Sequence, residues 1–311
     1  MSRKSKFIRT STRAFFQEAD QIPEYSLFER IHGYIYGRWI YLYIDLGVGE
    51  HPLAKKLAPL ANALARFWPQ KEVPDGSTGT LADGYHGKVL PTETAKQLVT
   101  INQEIRIDDL EQVLPFPKAR AIILQNPEHI VALDCPCRSA RENPCTPIDV
   151  CLVVGEPFAS FVSEHHPDSS RWINQQEAVD IIEAEQGHGH VSHAFFKDAM
   201  LGRFYAICNC CECCCGAMNA HRNGTPMLAS SGYICEVDDE ICIGCGTCEE
   251  ICQFRAITMP DSTAMIDYES CMGCGVCIEH CSQDALSLVR DENKGIPLEI
   301  NKLMGQAAMR P

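Results

Sequence analysis

Eight cysteines in the last quarter of this 311-residue chain have the spacing that chemistry demands most clearly. Cys242, Cys245, Cys248 and Cys252 follow the pattern C-x2-C-x2-C-x3-C, and Cys271, Cys274, Cys277 and Cys281 repeat it. Thiolates this close in sequence wrap one loop around a compact inorganic core. A glycine follows the second cysteine of each run, Gly246 and Gly275, where the backbone must approach that core closely. A structural zinc site draws its four ligands as two separated pairs, so a duplicated run of four argues for iron–sulfur cubanes.

The two runs resemble the bacterial two-cluster ferredoxin over roughly residues 233–291. The resemblance implies that the first three cysteines of a run bind one [4Fe–4S] cluster and the fourth binds the other. Cys242, Cys245, Cys248 and Cys281 then hold one cluster; Cys271, Cys274, Cys277 and Cys252 hold the second. That family has proline after the fourth cysteine, whereas Gln253 and Ser282 stand there in this chain. Each replacement restores a backbone N–H near a cluster, which raises its potential. The acids Glu236, Asp238, Asp239, Glu240, Glu249 and Glu250 push the other way, and the balance stays open.

Ten further cysteines lie upstream: Cys135, Cys137, Cys145 and Cys151, then Cys208, Cys210, Cys211, Cys213, Cys214 and Cys215. Along an extended chain adjacent residues point apart and residues two apart share a face. Six thiolates in eight positions therefore divide between centres, each completed from the 135–151 segment. One or two additional Fe–S clusters are the expectation, with a zinc site as the alternative. The Cys-Pro-Cys-Arg element at 135–138, the later C-N-C-C-x-C-C-C run and the C-terminal unit together resemble a widespread group of long ferredoxin-like iron–sulfur proteins. The triplet Cys214-Cys215-Gly216 is similar to the paired Cys-Cys-Gly segments of heterodisulfide-reductase subunits, but it occurs once. Cys235 stands apart and reads as a small buried thiol. His165, His166, His188, His190 and His193 read as loop or helix-end residues, with metal ligation or proton handling as the rival reading.

These ligands need rigid elements behind them. Ile130–Leu133 reads as a strand running into Cys135, Val150–Val154 as a second closed by Gly155, and Phe204–Ile207 as a third ending at Cys208. Residues 92–101 and 108–114 read as helices, and another starts at the N-cap Asn174 and ends at Gly187. Upstream, Tyr25, Phe28, Tyr34, Tyr36, Trp39, Tyr41 and Tyr43 are seven aromatics within nineteen residues. They suit core packing, a docking surface or a membrane interface. Residues 51–68 carry Leu53, Leu57, Leu60, Leu64 and Phe67 at helical spacing around Pro59. A Gly/Pro-rich linker over 69–87 follows. Arg3, Lys4, Lys6, Arg9 and Arg13 make a basic, solvated arm.

Composition narrows the class. Forty-one acids against 27 bases give a net charge of −14, which disfavours a nucleic-acid partner. Nineteen clustered cysteines, odd in number and without a secretory leader, speak against a disulfide framework and for a reducing, cytoplasmic setting. No apolar run approaches the ~20 residues of a membrane span. The fold expected is α+β: a C-terminal ferredoxin-like dicluster domain, a cysteine-rich α/β domain and an aromatic, largely helical N-terminal region. The boundaries are 1–75, 76–234, 235–295 and a tail over 296–311. The function expected is single-electron relay between redox protein partners within a larger complex, with no catalytic residue nominated and peripheral membrane contact left open. A reductase whose upstream site is itself catalytic is the alternative, as is a ferredoxin fused to a zinc-stabilised scaffold.

Overall fold

The computed structural model describes residues 8–308 apart from 24, 55, 57–79, 109 and 119. Three helices open it: α1 (Thr10–Ala19), α2 (Leu27–Arg38) and α3 (Ile40–Gly47). Ser26 starts α2 with a capping box, its hydroxyl accepting the Glu29 N–H at 3.2 Å while Glu29 accepts the Ser26 N–H at 2.7 Å. Gly33 and Gly37 lie one turn apart on α2. A Cβ at Gly33 would stand 2.0 Å from the Ala199 carbonyl oxygen, and one at Gly37 2.8 Å from the Phe161 ring. Only glycine lets α2 lie this close to its neighbours.

The middle of the chain builds one large sheet. Its elements are β1 (Tyr85–Val89), α4 (Thr92–Val99), β2 (Ile105–Ile107), β3 (Ile122–Leu133), α5 (Pro136–Ser139), β4 (Cys151–Glu156), α6 (Phe158–His165), β5 (Ser170–Ile173), α7 (Gln175–Gly187), β6 (Val191–Lys197), β7 (Arg203–Cys210), α8 (Gly216–Arg222) and β8 (Leu228–Ala229). The order is β2-β3-β4-β7-β6-β1-β8, with β5 also paired to β3. Every ladder is antiparallel except β1–β8. Helices and strands alternate along the chain, yet the sheet is not the parallel one that an α/β domain implies, and the class is α+β.

Period-two alternation gives the sheet two buried faces. Ile130, Ala132, Leu152, Val154, Ala194 and Phe196 face one core with Leu98 of α4, Ile182 of α7 and Ile300. Val131, Leu133, Val153, Phe195 and Ala206 face the other, beneath Phe15, Tyr36, Phe158 and Phe161. The N-terminal aromatics are thus largely packing residues. The basic arm is described only from residue 8, so Arg3, Lys4 and Lys6 lie outside, while Arg13 belongs to α1.

The C-terminal unit holds β9 (Tyr233–Val237), α9 (Thr247–Ile251), β10 (Ile257–Thr258), β11 (Met265–Ile266), α10 (Val276–Glu279) and β12 (Leu286–Arg290); α11 (Ile300–Ala308) then returns to the sheet. β9 pairs antiparallel with β12, and β10 with β11. This matches the repeat: each cysteine run leads into a short strand.

Several local expectations need correcting. Of the helix expected over 108–114, residues 110–114 form a turn instead, because the Leu114 N–H to Leu110 carbonyl bond of 2.7 Å closes one turn that buries Leu110, Val113 and Leu114 without a helix. Gly187 remains helical, and Gly189 takes the left-handed conformation at φ +82. β7 runs through Cys208 to Cys210. Residues 85–87 of the expected linker are strand β1. Most of the 51–68 segment, with Leu57, Leu60, Leu64 and Phe67, lies outside the described residues, as does the 75/76 boundary.

Arg203 fixes α1 to the sheet. It is 1% exposed, stacks on Phe158 and donates to Glu18 at 2.6 Å. Glu18→Ala strands that guanidinium, so a loss of about 3 kcal/mol is expected in denaturant unfolding. A loss under about 0.5 kcal/mol, typical of a surface change, would refute the anchor.

Candidate metal centres

In the C-terminal unit the cysteines gather around two cavities. Cys242, Cys245, Cys248 and Cys281 line one. Cys252, Cys271, Cys274 and Cys277 line the other, where Cys235 joins them. The fourth cysteine of each run thus crosses to the other run's cavity. Four thiols around an enclosed space are the donor set a [4Fe–4S] cluster takes. Gly246 and Gly275 hold the left-handed conformation at φ +81 and +84, and each turns its loop into the helix bearing the third cysteine. Cys252 Sγ accepts the Ala256 N–H at 3.3 Å, and Cys281 Sγ accepts the Ala285 N–H at 3.3 Å. These N–H groups come from four residues on, not from Gln253 or Ser282. Cys235 is buried with its sulfur 3.6 Å from Cys277 Sγ, so the isolated thiol of the sequence sits beside a candidate ligand.

The upstream cysteines meet because the strands carrying them are antiparallel. Cys151, at the start of β4, pairs with Leu133 at the end of β3 and with Cys208 near the end of β7. All three strands therefore deliver their cysteines to one end of the sheet. Six of the ten form a connected row of thiols, Cys208–Cys151–Cys135–Cys137–Cys215–Cys210. They line an apolar cavity of about 60 Å³, whose wall Cys211 and Cys214 also reach. The remaining four, Cys145, Cys211, Cys213 and Cys214, draw together at its edge, with Cys145 and Cys213 sulfurs 3.0 Å apart. The hydrogen bond with Cys137, then burial, pushes the Cys135 thiol up to about 12. Burial first, then neighbouring thiols, pushes Cys145 up to about 11. Such thiols ionise when a bound cation supplies the compensating charge.

The aromatic helices form one wall of the six-thiol cavity through Tyr36, Gly37, Ile40 and Ile44. Tyr36 and Tyr205 hydroxyls are 2.8 Å apart. Behind them the buried Lys197 ammonium lies 4.8 Å from the Tyr36 ring and 4.6 Å from that of Tyr85. Burial brings its pKa down to about 8.

Arg138, the arginine of the Cys-Pro-Cys-Arg element, is 1% exposed under the same cavity. It donates to Glu185 at 2.5 Å, the Asn209 carbonyl at 3.0 Å and the Pro147 carbonyl. His190 bonds the Glu185 carboxylate at 2.8 Å, and His188 bonds its other oxygen at 3.2 Å. Glu185, His188 and His190 thus bring three ligand atoms within 4.8 Å of one another, with the Arg138 guanidinium bonded to the same carboxylate. Among the other histidines, His165 bonds Thr12 at 2.8 Å, His166 the Gly37 carbonyl at 2.7 Å and His193 the Val191 carbonyl at 3.0 Å. The roles of Arg138 and Glu185 escape sequence reading, since the partners are 47 residues apart.

The ferredoxin-like unit docks on the upstream cysteine run. Gln253 Oε1 accepts the N–H of Glu212, which lies between Cys211 and Cys213, at 2.8 Å. Arg255 forms a forked ion pair with Glu212 at 2.9 and 3.1 Å. His280 bonds the Gly187 carbonyl at 3.2 Å.

The 4Fe–4S dicluster domain family matches residues 241–292. No curated protein matches the chain. The C-terminal unit is a ferredoxin-type domain, and the chain's chemistry is of the iron–sulfur electron-transfer class. Among the described residues, no helix is long and apolar enough to cross a membrane.

Bonds from His190 and Arg138 outweigh burial and hold the Glu185 carboxyl below its ordinary 4.5. A depressed carboxyl stabilises the fold above the unfolded value and loses that contribution as pH falls through the folded value. Glu185→Gln is therefore expected to cost about 3 kcal/mol near pH 7, with the gap from wild type narrowing below about pH 4.5. Thermal unfolding across about pH 2.5–7 checks this; a gap that stays constant down to the acid end would assign Glu185 a neutral packing role.

Proposed function

We propose that the chain relays single electrons between redox protein partners through its thiolate-held clusters, as a subunit of a larger oxidoreductase. The observation that carries this reading is the crossed arrangement of the two C-terminal quartets around adjacent cavities, docked against a third thiol-rich cavity. A [4Fe–4S] cluster held by four thiolates takes up and releases one electron at a time. Cys242, Cys245, Cys248 and Cys281 would hold one, Cys252, Cys271, Cys274 and Cys277 the second, and thiols of the Cys135–Cys215 cavity a third. The chain's part is to fix these thiolates, exclude water with Tyr36, Ile40 and Phe195, and set Arg138 as a fixed positive charge beside them.

Membership of a complex draws support from the surface. Phe28, Ile31, Ile35, Trp39, Leu42 and Leu46 are each between 40% and 75% exposed along α2 and α3. A run of exposed apolar side chains on one segment marks an interaction surface.

Anaerobically purified protein is expected to carry about twelve irons at four per cubane. Cys281→Ser should deplete the cluster of Cys242, Cys245 and Cys248 and spare that of Cys271, Cys274 and Cys277, as read by EPR. Loss of the sequence-local cluster instead would sink the crossed assignment, and eight irons would remove the third centre.

A second reading makes the six-thiol cavity a reducing centre in its own right. The Tyr36–Tyr205 hydroxyl pair stands at its wall, and the buried Lys197 ammonium, a group that donates protons, lies behind it. On that reading the upstream potential falls by about 59 mV per pH unit, one proton per electron, and Tyr36→Phe flattens the slope. A slope already flat in the wild type favours plain relay.

A further inference from the structure

We propose that Cys145, Cys211, Cys213 and Cys214 form a closed mononuclear site that binds one zinc ion, separate from every cluster in the chain. All four sulfurs lie within 4.8 Å of one another, with Cys145–Cys213 at 3.0 Å and Cys213–Cys214 at 3.5 Å. A tetrahedral ion at about 2.3 Å from each thiolate sets its sulfurs about 3.8 Å apart. Both of those separations fall within about 0.8 Å of that edge, and no pair of the four exceeds 4.8 Å. A cubane instead puts a separate iron behind each thiolate, so its four sulfurs stand on a much larger tetrahedron. The chain supplies its own comparison: among the described residues, no three sulfurs of either ferredoxin-type quartet, nor of the six-thiol cavity, approach one another as closely.

The local backbone explains the compactness. β7 ends at Cys210, and residues 211–215 then turn, closed by the Cys215 N–H to Cys211 carbonyl bond of 3.1 Å. In a strand, neighbouring cysteines would point apart. The turn brings Cys211, Cys213 and Cys214 to one point. Cys145 arrives from the segment after α5, and Arg141 clamps the two segments by donating to the Cys214 carbonyl at 3.2 Å and to Glu50 at 2.6 Å. Four thiolates closed around one ion form a structural donor set, and tetrahedral sulfur selects zinc among the divalent metals.

Such an ion would secure a turn on which two other sites depend. Its ends carry Cys210 and Cys215 of the six-thiol cavity, and Glu212 within it holds Gln253 and Arg255 of the ferredoxin-type unit. The inference rests on reading the upstream cysteines as metal ligands, but not on how many clusters they hold.

The test uses the full chain purified anaerobically, with iron, zinc and labile sulfide counted together. One zinc per chain is expected, and its X-ray absorption should give four sulfur neighbours at about 2.3 Å. Cys213→Ser should remove that zinc while leaving iron and sulfide unchanged. Loss of about four irons with four sulfides in this variant would make the site a cubane and overturn the inference. One iron in excess of sulfide, without zinc, would overturn zinc as the occupant. The wild-type absorption spectrum decides the matter alone if the variant does not fold. Eight irons with one zinc would remove the third cluster of the relay and leave this site standing, so the two failures are distinguishable.

Discussion

Thiolates repel one another, and water solvates them far better than a protein interior does. This chain nevertheless brings ten cysteines to one end of an antiparallel sheet and buries six of them: Cys135, Cys151, Cys210, Cys211, Cys214 and Cys215. Burial and mutual contact hold most of these thiols in the protonated form, so ionising them demands positive charge from elsewhere. The protein's own contribution is Arg138, paired with Glu185 so that the guanidinium is held in place rather than free to approach one sulfur. One guanidinium does not balance ten thiolates. Ionising the others calls for the charge of bound metal, and this is the ground on which the cluster and zinc sites are proposed.

The rest of the architecture follows from that requirement. Strand pairing fixes Cys151 against Cys208, because a one-residue slip would send either thiol to the opposite face among Ala132, Leu152 and Ile207. The open side of the cavity must then be closed by something apolar. α2 and α3 do this, and the close approach of Gly33 to Ala199 and of Gly37 to Phe161 allows them to. The aromatic segment is therefore part of the wall of the thiol-lined cavity on one side while presenting Phe28 and Trp39 outward on the other.

What the sequence revealed follows the range of each interaction. The C-terminal cysteine runs were legible because each spans only eleven residues of chain, and their glycines sit where the loop must turn left-handed. The strands before Cys135 and Cys208 were legible from their apolar runs, and so was the Asn174 cap, whose side chain accepts the Glu177 N–H at 2.9 Å. The division of the upstream cysteines into six and four was not. It depends on β4 running between β3 and β7, and on a turn at 211–215 that overrides the divergence expected of an extended chain. Leu110, Val113 and Leu114 misled for a related reason: one buried turn satisfies the same spacing as a helix.

Gln253 shows how a local departure acquires meaning only at long range. By sequence it is a missing proline beside a cluster cysteine, whose main effect would be a new N–H near sulfur. In the fold its side chain reaches across to the Glu212 N–H, and Arg255 two residues later grips the same residue. Proline at 253 has no group able to accept that N–H, and it would leave Glu212 tied to the ferredoxin-type unit by the ion pair alone. The substitution thus joins the chain segment around Cys252 to the turn that bears Cys211, Cys213 and Cys214. An isolated ferredoxin has no such turn to hold. A ferredoxin-type unit whose clusters must exchange electrons with a neighbouring thiol-rich centre gains from a fixed separation, and a hydrogen bond beside a forked ion pair supplies one.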